Sequence, residues 1–249
     1  MARRKRSTHP VFYFNFRSPY AWLAYHDLME RYPDVARVLE WRPWWEPDAA
    51  NERRLNEAGG TFSYVAMSKE KHLYILQDVR RLTRDRGLSV TWPVDRDPVW
   101  EVPHLPYFVA RELGRAPEYV SAVYEARWHR GMDICDPATI AVLAAELGLP
   151  VDRMTGAATD PGLREKEAHE ALLALSDAGA FGPPFFTHGF DKFWGVDRLP
   201  AFVESVRASL DGAPADAAPA ASGAPAEVLP EADFTAALAG DQGHPGGCG

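Results

Sequence analysis

A buried strand that leads directly into a polar helix start is the feature that most constrains this chain. Residues 11–16, Val-Phe-Tyr-Phe-Asn-Phe, form an apolar and aromatic run that predicts the strand. Ser18-Pro19-Tyr20-Ala21 follows and opens a helix. The apolar positions of that helix repeat at helical spacing: Trp22, Leu23, Tyr25, His26 and Met29. A helix start offers free N–H groups and the positive end of the helix dipole, and both stabilise an anion.

Ser18 supports two interpretations. Serine before proline is a common helix start, because the hydroxyl accepts a backbone hydrogen bond and the fixed φ of proline suits the first helical position. Taken alone, this capping role is the simpler interpretation. A hydroxyl in this place can also donate a hydrogen bond to a bound thiolate, and the helix dipole lowers the pKa of such a thiol.

A second motif lies near the far end, where residues 182–199 read Gly-Pro-Pro-Phe-Phe-Thr-His-Gly-Phe-Asp-Lys-Phe-Trp-Gly-Val-Asp-Arg-Leu. This stretch predicts a hairpin of Phe185 to His188 and Lys192 to Trp194, closed near Gly189. An amphipathic helix follows, with Asp197 as its N-cap and Pro200 in its first turn. Its apolar face comprises Leu199, Phe202, Val203, Val206 and Leu210.

These motifs together resemble the 2-hydroxychromene-2-carboxylate isomerase and kappa-class glutathione transferase family. The resemblance rests on Phe-Tyr-Phe-x-Phe-x-Ser-Pro-Tyr near the start, and on Gly-x-Pro-x-Phe and Phe-Trp-Gly-x-Asp-Arg-Leu near the end. The intervening chain agrees in order and spacing through Trp41-Arg42-Pro43, Lys71, Tyr74 and residues 131–136. The matching motifs span residues 11–210.

The resemblance implies an α/β fold in which a thioredoxin-like sheet carries an inserted all-helical domain, the architecture of DsbA and kappa-class proteins. We expect a flexible basic N-terminus (1–10), a thioredoxin-like domain (11–45 plus 180–211), a helical insertion (46–179) and a disordered tail rich in Ala, Pro and Gly (212–249). The second strand is predicted at Arg37 to Trp41. Helices are predicted near Phe62–Arg86, Val102–Leu113, Pro117–Arg130, from Pro137 after the cap Asp136, and Pro161–Ala178.

Proteins with a thioredoxin-like fold place a reactive Cys-x-x-Cys at this helix start, whereas this chain has Ser18 and Ala21 there. A disulfide oxidoreductase is therefore excluded. The resemblance implies instead that Ser18 faces the sulfur of glutathione, with Pro183, Pro184, Asp197 and Arg198 completing the cofactor site. It also implies a cis peptide bond between Pro183 and Pro184, although such bonds are uncommon.

Two departures from the family pattern weaken the expected glutathione contacts. Pro183 precedes the expected cis-proline and has no N–H to give to the peptide, a loss of about 0.5–1.5 kcal/mol. Val196 stands where a serine or asparagine side chain is usual. If glutathione does not bind, the chain needs its own nucleophile, and Cys135, one residue before a helix N-cap, is the candidate.

Further site residues follow from the resemblance and from residue type. His72, His104, His129 and His188 are candidate general bases, and His72 is best placed because it adjoins Lys71. Their spacing forms no metal pattern. A slot for a small, hydrophobic, conjugated substrate is predicted to be lined by Tyr20, Trp44, Trp45, Phe62, Lys71, Tyr74 and Trp194, with Trp92 and Trp100 as further aromatic candidates.

Charge and cysteine content exclude other classes of protein. The net charge is -8, and six acidic residues without a Lys or Arg from Asp211 onward leave about -2 for the rest. No stripe of basic and aromatic residues follows the basic run at residues 3–6, so nucleic acid is not an expected partner. No stretch reaches the about 18 apolar residues that span a bilayer, and no secretory segment opens the chain. The two cysteines, Cys135 and Cys248, lie far apart in the sequence, so we expect a cytoplasmic protein. The sequence does not exclude a homodimer.

Three functions remain after sequence analysis. The first is a cis–trans isomerase of a conjugated aromatic or polyene substrate, assisted by glutathione or independent of a thiol. The second is a kappa-like glutathione transferase. The third is a non-catalytic protein with a thioredoxin-like fold, for which the loss of both cysteines is the supporting feature.

Overall fold

The structure is a computed structural model that describes residues 9–63 and 67–211. Most of the expected basic N-terminus, the whole Ala/Pro/Gly-rich tail and Cys248 lie outside the described residues. A four-stranded sheet has the strand order β2-β1-β3-β4. The strands are β1 (Val11–Phe14), β2 (Glu40–Pro43), β3 (Phe185–His188) and β4 (Asp191–Trp194). β1 pairs in parallel with β2 and antiparallel with β3, and β3 and β4 form the predicted hairpin.

Helices cover both faces of this sheet. The α-helices in chain order are α1 (Pro19–Arg31), α2 (Pro33–Ala36), α3 (Ala49–Glu57), α4 (Lys69–Asp85), α5 (Glu101–His104), α6 (Pro106–Glu112), α7 (Ala116–Tyr124), α8 (Pro137–Glu146), α9 (Val151–Gly156), α10 (His169–Ala178) and α11 (Leu199–Leu210). Two π-helical segments, Glu125–His129 and Leu163–Ala168, continue α7 and precede α10. The thioredoxin-like fold with its helical insertion is therefore confirmed.

The all-apolar sequence of β1 follows from its central position. Phe12 and Phe14 face the main hydrophobic core, and Val11 and Tyr13 face a smaller cluster on the other side of the sheet. A strand covered on both faces has no polar side, so its residues are continuously apolar. Because α1 follows β1 after a short loop, the central position of β1 also places the start of α1 near the centre of the molecule.

Several predicted boundaries are wrong for local reasons. β2 begins at Glu40 and not at Arg37, because Pro33 starts the short helix α2. The helix expected from Phe62 begins at Lys69, where Ser68 caps it, and the helix expected over 102–113 divides at Pro106. α3 and α9 were not predicted. Asp136 caps α8 as expected.

The end of the chain also differs in detail. Asp197 lies within a 3₁₀ turn (Val196–Arg198), and α11 begins after it without a side-chain cap, so the N-cap role predicted for Asp197 is wrong. Leu210 is 57% exposed, whereas the other four positions of the predicted apolar face are buried. The last helix, α11, therefore packs against the core from Leu199 to Val206, and its final residue is exposed to solvent.

Candidate active site

Ser18 lies at the junction of β1 and α1 with all its polar atoms engaged. Its Oγ accepts a hydrogen bond from the Ala21 N–H at 3.3 Å and donates one to the Pro183 carbonyl at 3.4 Å. Its own N–H donates to Asn15 Oδ1 at 2.7 Å. Ser18 is therefore the helix cap that local sequence predicts, and its hydroxyl also faces the segment before β3. Both hydroxyl contacts are long, so the hydroxyl can exchange partners at little cost.

The loop that presents Ser18 is held from three directions. Asn15 donates from Nδ2 to the Trp44 carbonyl at 2.7 Å, and the Asn15 carbonyl accepts from the Tyr124 hydroxyl at 3.2 Å. The Phe16 N–H donates to Nε2 of His104 at 3.2 Å. These partners come from Trp44, directly after β2, and from the helical insertion, so both parts of the fold position the helix start.

His104 is a structural residue and not a general base. Its Nδ1–H donates to the Trp100 carbonyl at 2.7 Å, which leaves Nε2 as the acceptor for Phe16. The ring is fully buried, and burial, with the nearby Arg127 cation, lowers the pKa of His104 to about 3. The histidine is neutral at physiological pH, and both of its nitrogens are already used.

The peptide bond between Pro183 and Pro184 is cis, which confirms that prediction. Both prolines are buried beside Ser18. The Pro184 carbonyl accepts from the Gly195 N–H at 3.1 Å, which joins the segment before β3 to the turn after β4. Gly195 has a φ of +95°, and a Cβ there would lie 2.6 Å from Asp197 Oδ1, so only glycine fits.

Asp197 and Arg198 follow Gly195 at the surface. Their side chains are 69% and 63% exposed and form an ion pair at 2.9 Å. The carboxylate of Asp197 is therefore accessible to a bound ammonium group, as the resemblance implies. Val196 is buried and offers no polar atom.

The aromatic residues predicted to line a substrate slot separate into two groups. Trp44, Phe62 and Trp194 belong to the small cluster on the β1–β3 face, where the Trp44 and Phe62 rings are 5.1 Å apart. Trp45 is 0% exposed in the main core and donates from Nε1 to Glu101 at 3.3 Å. Trp45 and Trp44, which are 0% and 2% exposed, therefore have no surface for a ligand, and their predicted places in the slot are wrong. Trp100 is also buried.

Two flanks of α4 lie on either side of its buried stripe of Ile75, Val79 and Thr83. At 3.6 residues per turn, one flank carries Lys71, Tyr74 and Asp78, and the nearly opposite flank carries His72, Leu76 and Arg80. The hydroxyl of Tyr20, two residues after Ser18, donates to Asp78 at 2.9 Å. Lys71 and Tyr74 therefore share a flank with this contact. His72 lies on the other flank, and among the described residues no contact joins it to Ser18.

Arg17 was not predicted as a site residue, although it directly precedes Ser18. Its guanidinium pairs with Glu46 at 2.5 Å and lies 5.4 Å from the centre of the Trp100 ring. Both partners of the ion pair remain partly accessible. The position before a helix cap carries no motif, so only its adjacency to Ser18 could have indicated it.

The pKa of the Cys135 thiol is raised, whereas a nucleophilic cysteine has a lowered pKa. Burial, together with the nearby Asp133 carboxylate, raises the pKa of its thiol to about 12. The thiol is therefore protonated at neutral pH. The nearby helix dipole, which was expected to lower the pKa of this thiol, does not offset the effect of burial. The raised pKa argues against Cys135 as the nucleophile.

We expect Cys135→Ala to leave catalytic turnover within about twofold of the native value, because a protonated thiol is a poor nucleophile. The measurement is turnover at pH 7.5, beside the rate of carbamidomethylation of the native thiol. A loss of more than about tenfold in a variant with an unchanged melting temperature would contradict the structural role assigned to this cysteine.

The described part of the chain holds no cluster of three metal-binding side chains. None of the helices described in residues 9–63 and 67–211 is long and apolar enough to cross a membrane.

Comparison with protein families first defines the class. The family described as the DsbA-like thioredoxin domain matches residues 11–207. A solved structure of a probable DsbA oxidoreductase from Streptomyces coelicolor has a TM-score of 0.59 at 16% identity and covers 88% of this chain and 93% of its own. This likeness concerns the fold, since Ser18 and Ala21 replace the cysteines of a redox dithiol.

More specific similarity lies within that class. A 2-hydroxychromene-2-carboxylate isomerase from Sphingobium xenophagum is 30% identical over 202 residues, which cover 78% of this chain and 95% of that protein. A solved structure of a 2-hydroxychromene-2-carboxylate isomerase has a TM-score of 0.63 at 22% identity and covers 81% of this chain and 95% of its own. The chain belongs to the DsbA-like thioredoxin family and, within it, to the 2-hydroxychromene-2-carboxylate isomerase family.

Proposed function

We propose that this isomerase interconverts the cis and trans forms of a carbon–carbon double bond in a conjugated aromatic or polyene substrate, with glutathione as its thiol cofactor. The observation that carries the proposal is the Ser18 hydroxyl at the start of α1, next to the cis Pro183–Pro184 segment. Bound glutathione would supply a thiolate that forms a C–S bond to the conjugated system and leaves with its electron pair after the resulting single bond has rotated.

The residues at the helix start fit the sulfur end of this cofactor. The Ser18 hydroxyl donates to Pro183 over 3.4 Å and can turn to donate to a thiolate instead. The positive end of α1 favours the same negative charge. The protonated state of Cys135 supports an external thiol, because the described residues contain no other cysteine.

The peptide end of the cofactor site fits less completely. Pro183 has no N–H, so a bound peptide gains at most one backbone hydrogen bond there, to the Pro183 carbonyl that also accepts from Ser18. The Asp197 carboxylate is exposed and would hold the ammonium group of the glutamyl residue. This arrangement supports weak binding of glutathione, with the sulfur contact contributing much of the affinity.

The Pro183 carbonyl also favours one alternative, a thiol-independent isomerase. If the Ser18 hydroxyl keeps its bond to Pro183, it has no proton left to donate to a thiolate. Acid–base chemistry on the substrate would then be required.

Calorimetric titration with glutathione and with S-methylglutathione separates these cases. We expect glutathione to bind measurably and the S-methyl analogue to bind about tenfold more weakly, because it has no thiolate for Ser18 to contact. Isomerisation of a conjugated aromatic acid should then require added glutathione. Full turnover without any thiol would exclude the cofactor, a stable thioether product would indicate the kappa-like transferase, and no turnover on any conjugated acid would favour a non-catalytic protein.

A further inference from the structure

A groove of about 560 Å³ lies between α4 and the segment that follows it. Its lining residues are His72, Leu76, Gln77, Arg80, Trp92 and Pro93. The groove uses the flank of α4 that faces away from the Tyr20–Asp78 contact, so it is separate from the helix start that carries Ser18. Its volume is within the range of small-molecule sites.

The floor of the groove is held in place although it belongs to no helix or strand. The Thr91 N–H donates to the Trp128 carbonyl at 2.8 Å, and the Asp95 carboxylate binds the Arg127 guanidinium through two hydrogen bonds at 2.8 and 2.9 Å. Trp92 and Pro93 lie between these two anchors. A segment fixed on both sides presents its side chains in a constant position.

Trp92 provides an aromatic surface that is supported from behind. Its ring packs edge-on against Trp128 at 5.8 Å, and Trp128 in turn stacks on Trp22 of α1 at 5.7 Å. Trp92 is 38% exposed, which is more than any other described tryptophan. Part of an indole ring therefore faces the groove from a rigid base.

Arg80 provides a positive charge that no carboxylate neutralises. Most described arginines have a carboxylate within 4.0 Å. Those in the described residues without such a partner are Arg37, Arg53, Arg80, Arg84 and Arg96. Of these five, only Arg80 lines this groove. The lining contains no acidic residue, so its charge is positive.

We propose that this groove binds a planar organic anion, an aromatic or conjugated carboxylate, at a site distinct from Ser18. The ring of the ligand stacks on Trp92 and contacts Leu76 and Pro93, and its carboxylate binds the Arg80 guanidinium. His72 and Gln77 offer further polar atoms at the rim. This inference does not rest on the proposed isomerisation, because none of its residues contacts the helix start.

Titration with 2-naphthoate and with neutral 2-naphthylmethanol tests the site. We expect saturable binding of 2-naphthoate that is about tenfold tighter than binding of the alcohol, because only the carboxylate contacts Arg80. Arg80→Gln should weaken 2-naphthoate binding about tenfold and leave the alcohol unchanged, whereas Trp92→Leu should weaken both. Arg80 and Trp92 are both exposed, and melting temperatures verify that the variants fold.

Arg84→Gln is the matched control, because Arg84 is an unpaired arginine on the same helix outside the groove. It should change 2-naphthoate affinity by less than about twofold, since Arg84 does not line the groove and its exposed charge makes no direct contact with the carboxylate. Ser18→Ala should also leave this affinity unchanged. The proposal is overturned by an absence of saturable binding, by equal losses in Arg80→Gln and Arg84→Gln, or by loss of binding in Ser18→Ala.

Discussion

We expect replacement of Ser18 by alanine to lower isomerase turnover by about a hundredfold, the loss that follows when one hydrogen-bond donor to a reacting anion is removed. The same substitution removes the cap of α1, which costs only about 1 kcal/mol and shifts the melting temperature by a few degrees. Turnover and thermal unfolding of the same preparation measure the two effects separately. Full turnover in the variant would reduce Ser18 to a helix cap.

Ser68→Ala is the control for this experiment. Ser68 caps α4, and its Oγ accepts from the Lys71 N–H at 3.3 Å, the same length as the contact from Ala21 to Ser18. The two variants therefore lose equivalent caps. Only Ser18→Ala should lose turnover, and a similar loss in Ser68→Ala would attribute the effect to helix capping.

Replacing His104 by leucine lowers the free energy of unfolding by about 2–5 kcal/mol, because the Phe16 N–H and the Trp100 carbonyl lose their buried partner. The loop that presents Ser18 then loses one of its three supports, so kcat falls more than KM rises. Urea unfolding and steady-state kinetics measure both effects. His104→Gln keeps a donor and an acceptor and should recover part of each loss.

The same residue makes stability depend on pH. Burial holds the pKa of His104 near 3, whereas the unfolded chain takes up a proton near pH 6.5. The unfolded state thus binds more protons below pH 6.5, so stability is full above that pH and falls as the pH decreases toward about 3. The dependence should be shallower in His104→Gln. His188, whose pKa burial also lowers, adds a smaller slope of the same sign in both proteins. An unchanged slope would contradict a neutral, buried His104.

The cis-proline was predicted from the family resemblance. Local sequence signals were sufficient for the strand–helix start and the C-terminal hairpin. Each depends on neighbours in the chain: an apolar run before Ser18, and a Gly189 turn between two short aromatic strands. β2 was displaced because the Tyr32–Pro33 step starts a helix that periodicity did not reveal. The start of α4 was displaced because its cap, Ser68, is an isolated serine without a wider motif.

The errors at the site have a different cause. His104 supports Phe16 across 88 residues of sequence, and its burial between these distant segments keeps it neutral. Cys135 shows the same limitation, because the position before a helix suggests a low pKa and tertiary burial reverses it. Trp45 and Trp92 cannot be distinguished by residue type, although one is fully buried and the other is exposed. Burial depends on how distant segments pack, and one sequence does not contain that information.

The hydrogen bonds between the sheet and the helical insertion have a consequence for how the protein unfolds. Tyr107 donates to the Trp41 carbonyl, Trp45 donates to Glu101, and His104 accepts from Phe16, all across the two parts of the fold. Opening one part from the other would expose these buried groups together with the aromatic rings around them. We therefore expect the sheet and the insertion to unfold as a single cooperative unit, and a ligand to enter through local movement of side chains and loops rather than by a hinge between two rigid lobes.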